Sequence, residues 1–510
     1  MVGTVLRRWQ QRLWPIQPFE LKKVVPLFLM KFFISINFVI LSSLKDTLIV
    51  TAPQSGAEVI PILKGWLVLP VVIGATLLYS KLSNTMRRQT LFYAILAFFI
   101  TFLLLYGFLL FPHRDQLCPH ATADWLTQRF GSTWSPWIAV FRYWMDALFF
   151  IVAELWSSLV IFLCFWGLSN EINRVGEAKR FYTLFIAGGN LAAMAAGPMI
   201  WYVTRSTAGL PFVATLQQLV GFAAVSGVCV MALHWWMMRN VLSDVRLQGP
   251  EPGSNRYHQK TKLSLMESLR MVVTNRRLLA IAVMVIGFGL TINLVEVTWK
   301  ANLKLQYPNP SDYQAFMGSV VSMTGLISFI LALVVGGTMV RTVGWHICAQ
   351  ITPIAIGVTG LLFFFSYLFP GVLAPMASWL GLTPLLMVIL LGAIQVVASK
   401  VVKYTFFDMT KEMVFIPLDQ EARVKGKAAV DMVGSRLGKS GASWIQVALI
   451  ELVGAGSILP LGSYLIPIFA VMVVGWIGAT YYLRHSVQDD APAPQPILPE
   501  PQVATVTAAG

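Results

Sequence analysis

The chain has 510 residues, of which 56% are hydrophobic and only 12% charged, and its mean hydropathy is +0.69. A water-soluble chain of this length fills its core with far less apolar side chain, so the composition excludes a soluble enzyme and points to lipid as the second solvent. The formal charge of +15 suits a nucleic acid in principle, but its distribution follows membrane topology, and no nucleic-acid partner is expected.

The first 23 residues carry Arg7, Arg8, Arg12, Lys22 and Lys23. No apolar core with a small-residue cleavage site precedes the first long apolar run, so no removable signal is expected and that run is read as a retained helix. Runs of about twenty apolar residues then recur, the length that crosses a hydrocarbon layer of roughly 30 Å as a helix. They predict spans over 24–43, 59–79, 91–111, 137–166, 181–203 and 213–236. The fourth is long enough to kink. A polar segment follows at 241–277, with the linker-like string Gly249-Pro250-Glu251-Pro252-Gly253-Ser254. Six further spans are predicted over 278–300, 315–340, 347–369, 385–407, 427–453 and 458–483, and a disordered Pro/Ala/Val-rich tail over 486–510. The second and eleventh spans contain charges and are expected to score poorly in a hydropathy window.

The fold class is therefore all-α: a polytopic membrane protein of about twelve transmembrane helices in two six-helix halves, 1–240 and 278–485, joined by a cytoplasmic linker. With the N-terminus in the cytoplasm, the outer connections hold only Lys45, Arg114, Arg129, Arg205 and Lys304 of the 38 Lys and Arg. That bias is the positive-inside pattern, and it places both termini in the cytoplasm and the protein in the inner membrane. The halves echo each other: Ile36-Asn37-Phe38-Val39 with Ile292-Asn293-Leu294-Val295, Val152-Ala153-Glu154 with Val397-Ala398-Ser399-Lys400, and Glu177-Ala178-Lys179-Arg180 with Glu421-Ala422-Arg423. Parallel six-helix repeats are the signature of a major-facilitator-like transporter, whose substrate site lies between the halves near the midplane.

Cys118, Cys164, Cys229 and Cys348 are far apart, and the six histidines form no HExxH-type cluster, so neither a metal nor another cofactor is expected. Gly434-Ser435-Arg436-Leu437-Gly438-Lys439-Ser440 imitates a phosphate-binding loop but is one residue short between its glycines, and no strand precedes it. It reads as a small-residue helix face with two cations. Gly188-Gly189-Asn190 through Gly197 reads as a close helix contact.

The functional signal lies in ionisable residues within spans, each of which costs on the order of 3 kcal/mol at the bilayer centre. These are Lys31, Lys64, Arg142, Asp146, Glu154, Glu296, Lys300, Lys400, Asp431, Arg436 and Lys439. The basic ones prevail, as a cavity for a multiply charged anion requires: Lys offers a point charge to phosphate and Arg a two-pronged fork. Some have plainer uses. Arg142 and Asp146, spaced i, i+4, can pair with each other, as can Glu296 and Lys300. Lys31 can snorkel to the interface, and Lys64 can be an interfacial lysine.

Several long strings resemble one family. They are Trp14-Pro15-Ile16 with Glu20-Leu21-Lys22-Lys23, Lys45-Asp46-Thr47-Leu48-Ile49-Val50-Thr51-Ala52-Pro53 with Ser55-Gly56-Ala57-Glu58-Val59-Ile60-Pro61, Ala153-Glu154-Leu155-Trp156, Val295-Glu296-Val297-Thr298-Trp299-Lys300, and Lys425-Gly426-Lys427-Ala428-Ala429 with Leu437-Gly438-Lys439-Ser440-Gly441. Together they resemble the nucleotide transporters of plastids and intracellular bacteria, the ATP/ADP translocases of chlamydiae and rickettsiae. The resemblance implies a nucleoside tri- or diphosphate cargo and four essential span residues, which fall on Lys64, Glu154, Glu296 and Lys439, with Lys427 the alternative for the last. Lys45, Arg142, Asp146, Lys300, Lys400 and Arg436 are the secondary candidates. One motif departs. Exchangers of this family typically read Leu-Arg-Asp-Thr-Lys-Asp where this chain has Leu41-Ser42-Ser43-Leu44-Lys45-Asp46, which removes an Arg–Asp pair.

The resulting expectation is nucleotide import by ATP/ADP-type exchange through alternating access, with an altered nucleotide preference open. The rivals are proton-coupled symport of a ribonucleotide such as UTP, GTP or CTP, and a membrane-embedded phosphate-transferring enzyme. The remaining partners expected are membrane lipid and, under symport, protons; a monomer is the default for this architecture.

Overall fold

The computed structural model describes residues 16–243, 265–334, 339, 343–415, 418 and 426–488. Most of the expected linker (244–264), the string at Glu421-Ala422-Arg423 and the tail from 489 lie outside the described residues. Every regular element among the described residues is helical. In chain order they are α1 Leu21–Thr51, α2 Val59–Thr85, α3 Arg88–Leu117, α4 His120–Phe130, α5 Ser135–Arg142, α6 Trp144–Ile172, α7 Val175–Ser206 and α8 Phe212–Asn240. The second set is α9 Leu265–Thr274, α10 Arg276–Gln306, α11 Pro310–Val334, α12 Trp345–Leu368, α13 Pro370–Trp379, α14 Pro384–Val414, α15 over 427–453 and α16 Gly462–Gln488.

Eleven of these helices are long and apolar enough to cross a membrane. The second, α2, is among them, contrary to expectation: Lys64 sits near its start, and the apolar residues beyond it carry the window. The eleventh predicted span, α15, is not among them, because Lys427, Asp431, Arg436 and Lys439 crowd its first half. It nevertheless runs as one helix of span length, with its glycine face against α10: Gly438 and Gly289 approach so closely that a Cβ on Gly289 would stand 2.9 Å from the Gly438 Cα.

Local chemistry sets the ends. Ala52 turns extended (ψ 142°) because Pro53 follows it, and α1 stops there. The Asn275 side chain accepts from the backbone N–H groups of Arg277 and Leu278 at 3.0 and 3.3 Å and starts α10. The kink expected in the fourth span is a break: Tyr143 (φ −108°, ψ 46°) separates α5 from α6.

α1–α8 and α10–α16 form the two sides of the molecule. They meet most closely where α7 crosses α11. A Cβ on Gly197 would meet the Ser322 hydroxyl and stand 2.6 Å from the Gly318 carbonyl, and one on Gly325 would stand 2.5 Å from the Met194 amide, so the backbones come close with only small groups between them.

At the N-terminal end of the first half, α1 and α7 are clasped reciprocally. Arg180 donates to both carboxylate oxygens of Glu20 (2.8 and 2.5 Å), and Lys23 to Glu177 (2.8 Å). Each carboxylate also accepts a backbone N–H of its own helix start, Gln17 for Glu20 and Arg174 for Glu177, both at 2.9 Å. One acidic group thus caps a helix and ties it to its neighbour.

Candidate functional site

The charged residues of the spans converge between the halves as one alternating chain. Glu154 on α6 pairs with Lys45 on α1 (3.1 Å), and Lys45 with its neighbour Asp46 (2.8 Å). Asp46 reaches across to Lys300 on α10 (2.8 Å), which also holds Glu296 one turn earlier on its own helix (2.8 Å). Glu296 faces Lys64 on α2 at 3.9 Å, and Lys64 donates to the Asn293 side-chain oxygen at 2.9 Å. Three carboxylates and three ammonium groups alternate, so the chain is neutral, and it crosses the divide twice, at Asp46–Lys300 and at Lys64–Glu296. Lys45, Asp46 and Lys300 are buried; Glu154, Lys64 and Glu296 are half-buried. The Lys45 ammonium also lies 4.0 Å from the centre of the Phe150 ring.

Beside this neutral chain stand cations that it does not compensate. Lys400 on α14, and Arg436 and Lys439 on α15, have no carboxylate within ion-pair distance among the described residues. Arg436 donates across the divide to the Ser158 hydroxyl at 2.7 Å. Lys439 is exposed although it lies within a span and within electrostatic reach of Glu154 and Glu296, so it faces the cleft between the halves. Lys403, half-buried on α14, is held by Asp408 (2.8 Å).

Wide helical turns recur at these positions. Residues 63–68 of α2, 157–166 of α6, 403–407 of α14 and 430–434 of α15 form π-helical turns. The first contains Lys64, the second Ser158, and the last two adjoin Lys400 and Arg436. Such turns shift the register of the following residues and loosen the local ladder. Nothing in the sequence announces them.

Other candidates lie elsewhere. Arg142 and Asp146 do not pair with each other, because the break at Tyr143 lies between them. Arg142 reaches Asp124 on α4 (2.6 Å), while Asp146 takes Arg114 (2.7 Å) and the Tyr106 hydroxyl (2.7 Å). Lys427 sits at the start of α15 with Glu412 and over the Phe415 ring, apart from the cleft. Asp431 is held by Lys411 (2.8 Å). Lys31 does not snorkel: it is buried, with its ammonium 5.5 and 5.8 Å from the Phe165 and Trp166 rings. Lys64 is no interfacial lysine either, since it spends its charge on Asn293 and Glu296.

The halves are latched at the end opposite the N-terminus. Lys304 donates to the carbonyls of Ala52 and Ser55, Trp137 to Glu451 (3.2 Å) and Thr133 to the Gly454 carbonyl (3.4 Å).

Helix order and a charged cleft between two bundles define a polytopic membrane transporter of major-facilitator architecture. The fold matches that of the nucleoside transporter NupG with a TM-score of 0.56 at 13% identity, covering 90% of this chain and 99% of that one. The chain belongs to the family described as TLC ATP/ADP transporter, which matches residues 3–487. It is 45% identical over 474 residues to ADP,ATP carrier protein 1 of Chlamydia trachomatis, covering 92% of this chain and 89% of that one. It is 39% identical over 478 residues to the chloroplastic ADP,ATP carrier protein 1 of Arabidopsis thaliana, covering 93% and 75%. The resemblance read from the motifs therefore holds, and the phosphate-transferring enzyme is set aside.

Proposed function

We propose that this transporter exchanges nucleoside tri- and diphosphates, ATP against ADP in the first instance, across a bacterial inner membrane with both termini in the cytoplasm. The observation that carries the reading is the charge arrangement. A neutral, alternating chain links the halves, and Lys400, Arg436 and Lys439 add uncompensated positive charge at its edge. In that orientation the latch lies outside and the cleft opens inward.

A polyphosphate entering from the cytoplasm meets Lys439, Arg436 and Lys400 first, on the C-terminal side. Its remaining negative charge competes for Lys45 and Lys64, the cations that Glu154 and Glu296 hold. Phosphate that wins Lys64 loosens the cross-half pair with Glu296, which keeps Lys300 as its partner, and phosphate that wins Lys45 frees Glu154 and weakens the hold on Asp46 within the first half. The loaded carrier then rocks, whereas the empty one stays tied by Asp46–Lys300 and Lys64–Glu296. Coupling follows from charge: a carrier emptied at one face must reload before its cations are again shared.

The test is uptake of labelled ATP, ADP, GTP, CTP and UTP into vesicles, with and without internal nucleotide and a protonophore. Exchange requires uptake that depends on internal nucleotide and ignores the protonophore. Uptake into empty vesicles that collapses with the protonophore overturns it in favour of proton symport. The Ser42-Ser43-Leu44 departure bears on which bases compete, and the five nucleotides read that out in the same experiment.

A further inference from the structure

Three consecutive residues near the start of α2 face three different neighbours. Lys64 donates to Asn293 on α10 at 2.9 Å, with Glu296 at 3.9 Å. Trp66 is 53% exposed, its ring centre 6.2 Å from that of Trp137 on α5. Gly65, between them, faces α15 of the other half: a Cβ there would stand 3.0 and 3.1 Å from Cδ1 and Nε1 of Trp444, and 3.3 Å from the Ser443 Cβ. The Trp444 indole thus rests on bare backbone, in a seat that even a methyl group would crowd. Its ring is 37% exposed, so one part reaches the molecular surface while the edge carrying Cδ1 and Nε1 is spent on Gly65. The seat lies within the wide turn 63–68, whose loosened ladder does little by itself to fix the direction of Lys64.

The partner of Lys64 is held from the same helix. The Asn293 amide nitrogen donates to the Gly289 carbonyl (2.7 Å), which leaves its oxygen for Lys64. Gln446, two residues after Trp444, donates to the carbonyls of Asn293 and Leu294 (3.4 and 3.3 Å). α15 therefore braces Lys64 from two sides, and it also carries Arg436 and Lys439, the cations that no carboxylate holds. We propose that Trp444 is a positioning residue: seated on Gly65, it closes the seam between α2 and α15 and keeps Lys64 on Glu296 while the carrier is empty. Given the exchange proposed above, on which this role rests, a polyphosphate that draws on Arg436 and Lys439 shifts α15 and unseats the indole. The tie at Lys64 is then released only when cargo is aboard. A tryptophan that serves only to meet lipid headgroups needs no seat on the backbone of the opposite half.

The experiment compares the full chain with its Trp444→Ala, Trp444→Phe and Gly65→Ala variants in vesicles loaded with ADP or left free of nucleotide, following labelled ATP. The parent takes up ATP only into loaded vesicles. Trp444→Ala raises uptake into nucleotide-free vesicles roughly tenfold, because the empty carrier now returns. Trp444→Phe keeps the parent's dependence, since its ring still rests on Gly65. Gly65→Ala crowds the same contact from the opposite side; it slips as Trp444→Ala does, and it decides the matter alone should Trp444→Ala fail to fold. A loss of packing alone lowers uptake into both kinds of vesicle and leaves their ratio unchanged. That outcome overturns the inference, as does a Trp444→Phe variant that slips like Trp444→Ala. A parent that fills nucleotide-free vesicles as fast as loaded ones sinks the exchange reading and this role with it, whereas a dependent parent with an equally dependent Trp444→Ala removes Trp444 alone.

Discussion

Two sets of ion pairs tie helices together in this protein, with nearly the same chemistry. The clasp Glu20–Arg180 and Lys23–Glu177 joins α1 to α7 inside one half; the chain from Glu154 to Lys64 joins the halves. In the clasp each carboxylate also accepts a backbone N–H of its own helix start, so every group is fully engaged. The cross-half chain has slack: Lys64 and Glu296 stand 3.9 Å apart, and both are half-buried. The difference shows that an ion pair's role is set less by its strength than by whether its helices must separate. A clasp within a rigid body can be saturated, whereas a tie across a moving boundary must leave room for a competitor.

The sharpest way to break this comparison is to remove the hub of the chain. Lys300→Met leaves buried Asp46 with Lys45 alone and half-buried Glu296 with Lys64 alone, a cost of up to about 3 kcal/mol. Uptake is expected to vanish and Tm to fall by a few degrees, taking about 1–2 °C per kcal/mol for a chain this large. If uptake survives, the chain is packing and not machinery. Next comes Lys439→Gln, which removes an uncompensated cation facing the cleft. Nucleotide uptake should drop at least ~10-fold, the loss of about 1.4 kcal/mol of charge-assisted contact, with Tm and membrane insertion unchanged. Equal uptake by this variant and the parent would remove Lys439 from the site.

Arg180→Gln in the clasp should do the reverse. It should lower Tm by several degrees, because a buried carboxylate loses its two-pronged partner, and leave the nucleotide KM unchanged. A KM that rises with the Tm loss would mean that the clasp moves in transport. The smallest effect is expected from Arg142→Gln, whose partner Asp124 is half exposed: within about 1 kcal/mol on stability and no change in uptake. A strong transport defect there would show that the outer helices α4 and α5 couple to the cleft.

Much of this was legible in the sequence, and the misses have physical causes. Buried charge is so expensive in a membrane that composition alone exposed Lys64, Glu154, Glu296, Lys300, Lys400 and Lys439, all of which the fold brings to one cleft. Asp46 escaped because the apolar run ends near residue 43, whereas α1 continues to Thr51; apolarity marks where lipid touches a helix, not where the helix stops. Asn293 escaped because an uncharged amide costs too little to stand out. Arg142 and Asp146 were misjudged as a pair because i, i+4 spacing assumes an unbroken helix, and Tyr143 breaks it. The π-helical turns at Lys64, Ser158, Lys403 and Val430 are choices of the packed structure among nearly equal local geometries, and no residue pattern marks them.

The crossing of α7 and α11 has one more consequence. With Gly197 laid against Gly318 and Ser322, only a thin layer of small groups separates the two backbones there, so the two bundles can pivot about that contact. Whatever angle is gained at one mouth is lost at the other, and a spacer as small as a methyl group on Gly197 tilts both mouths at once. The timing of access on the two faces thus depends on the thickness of a single contact that never touches the cargo.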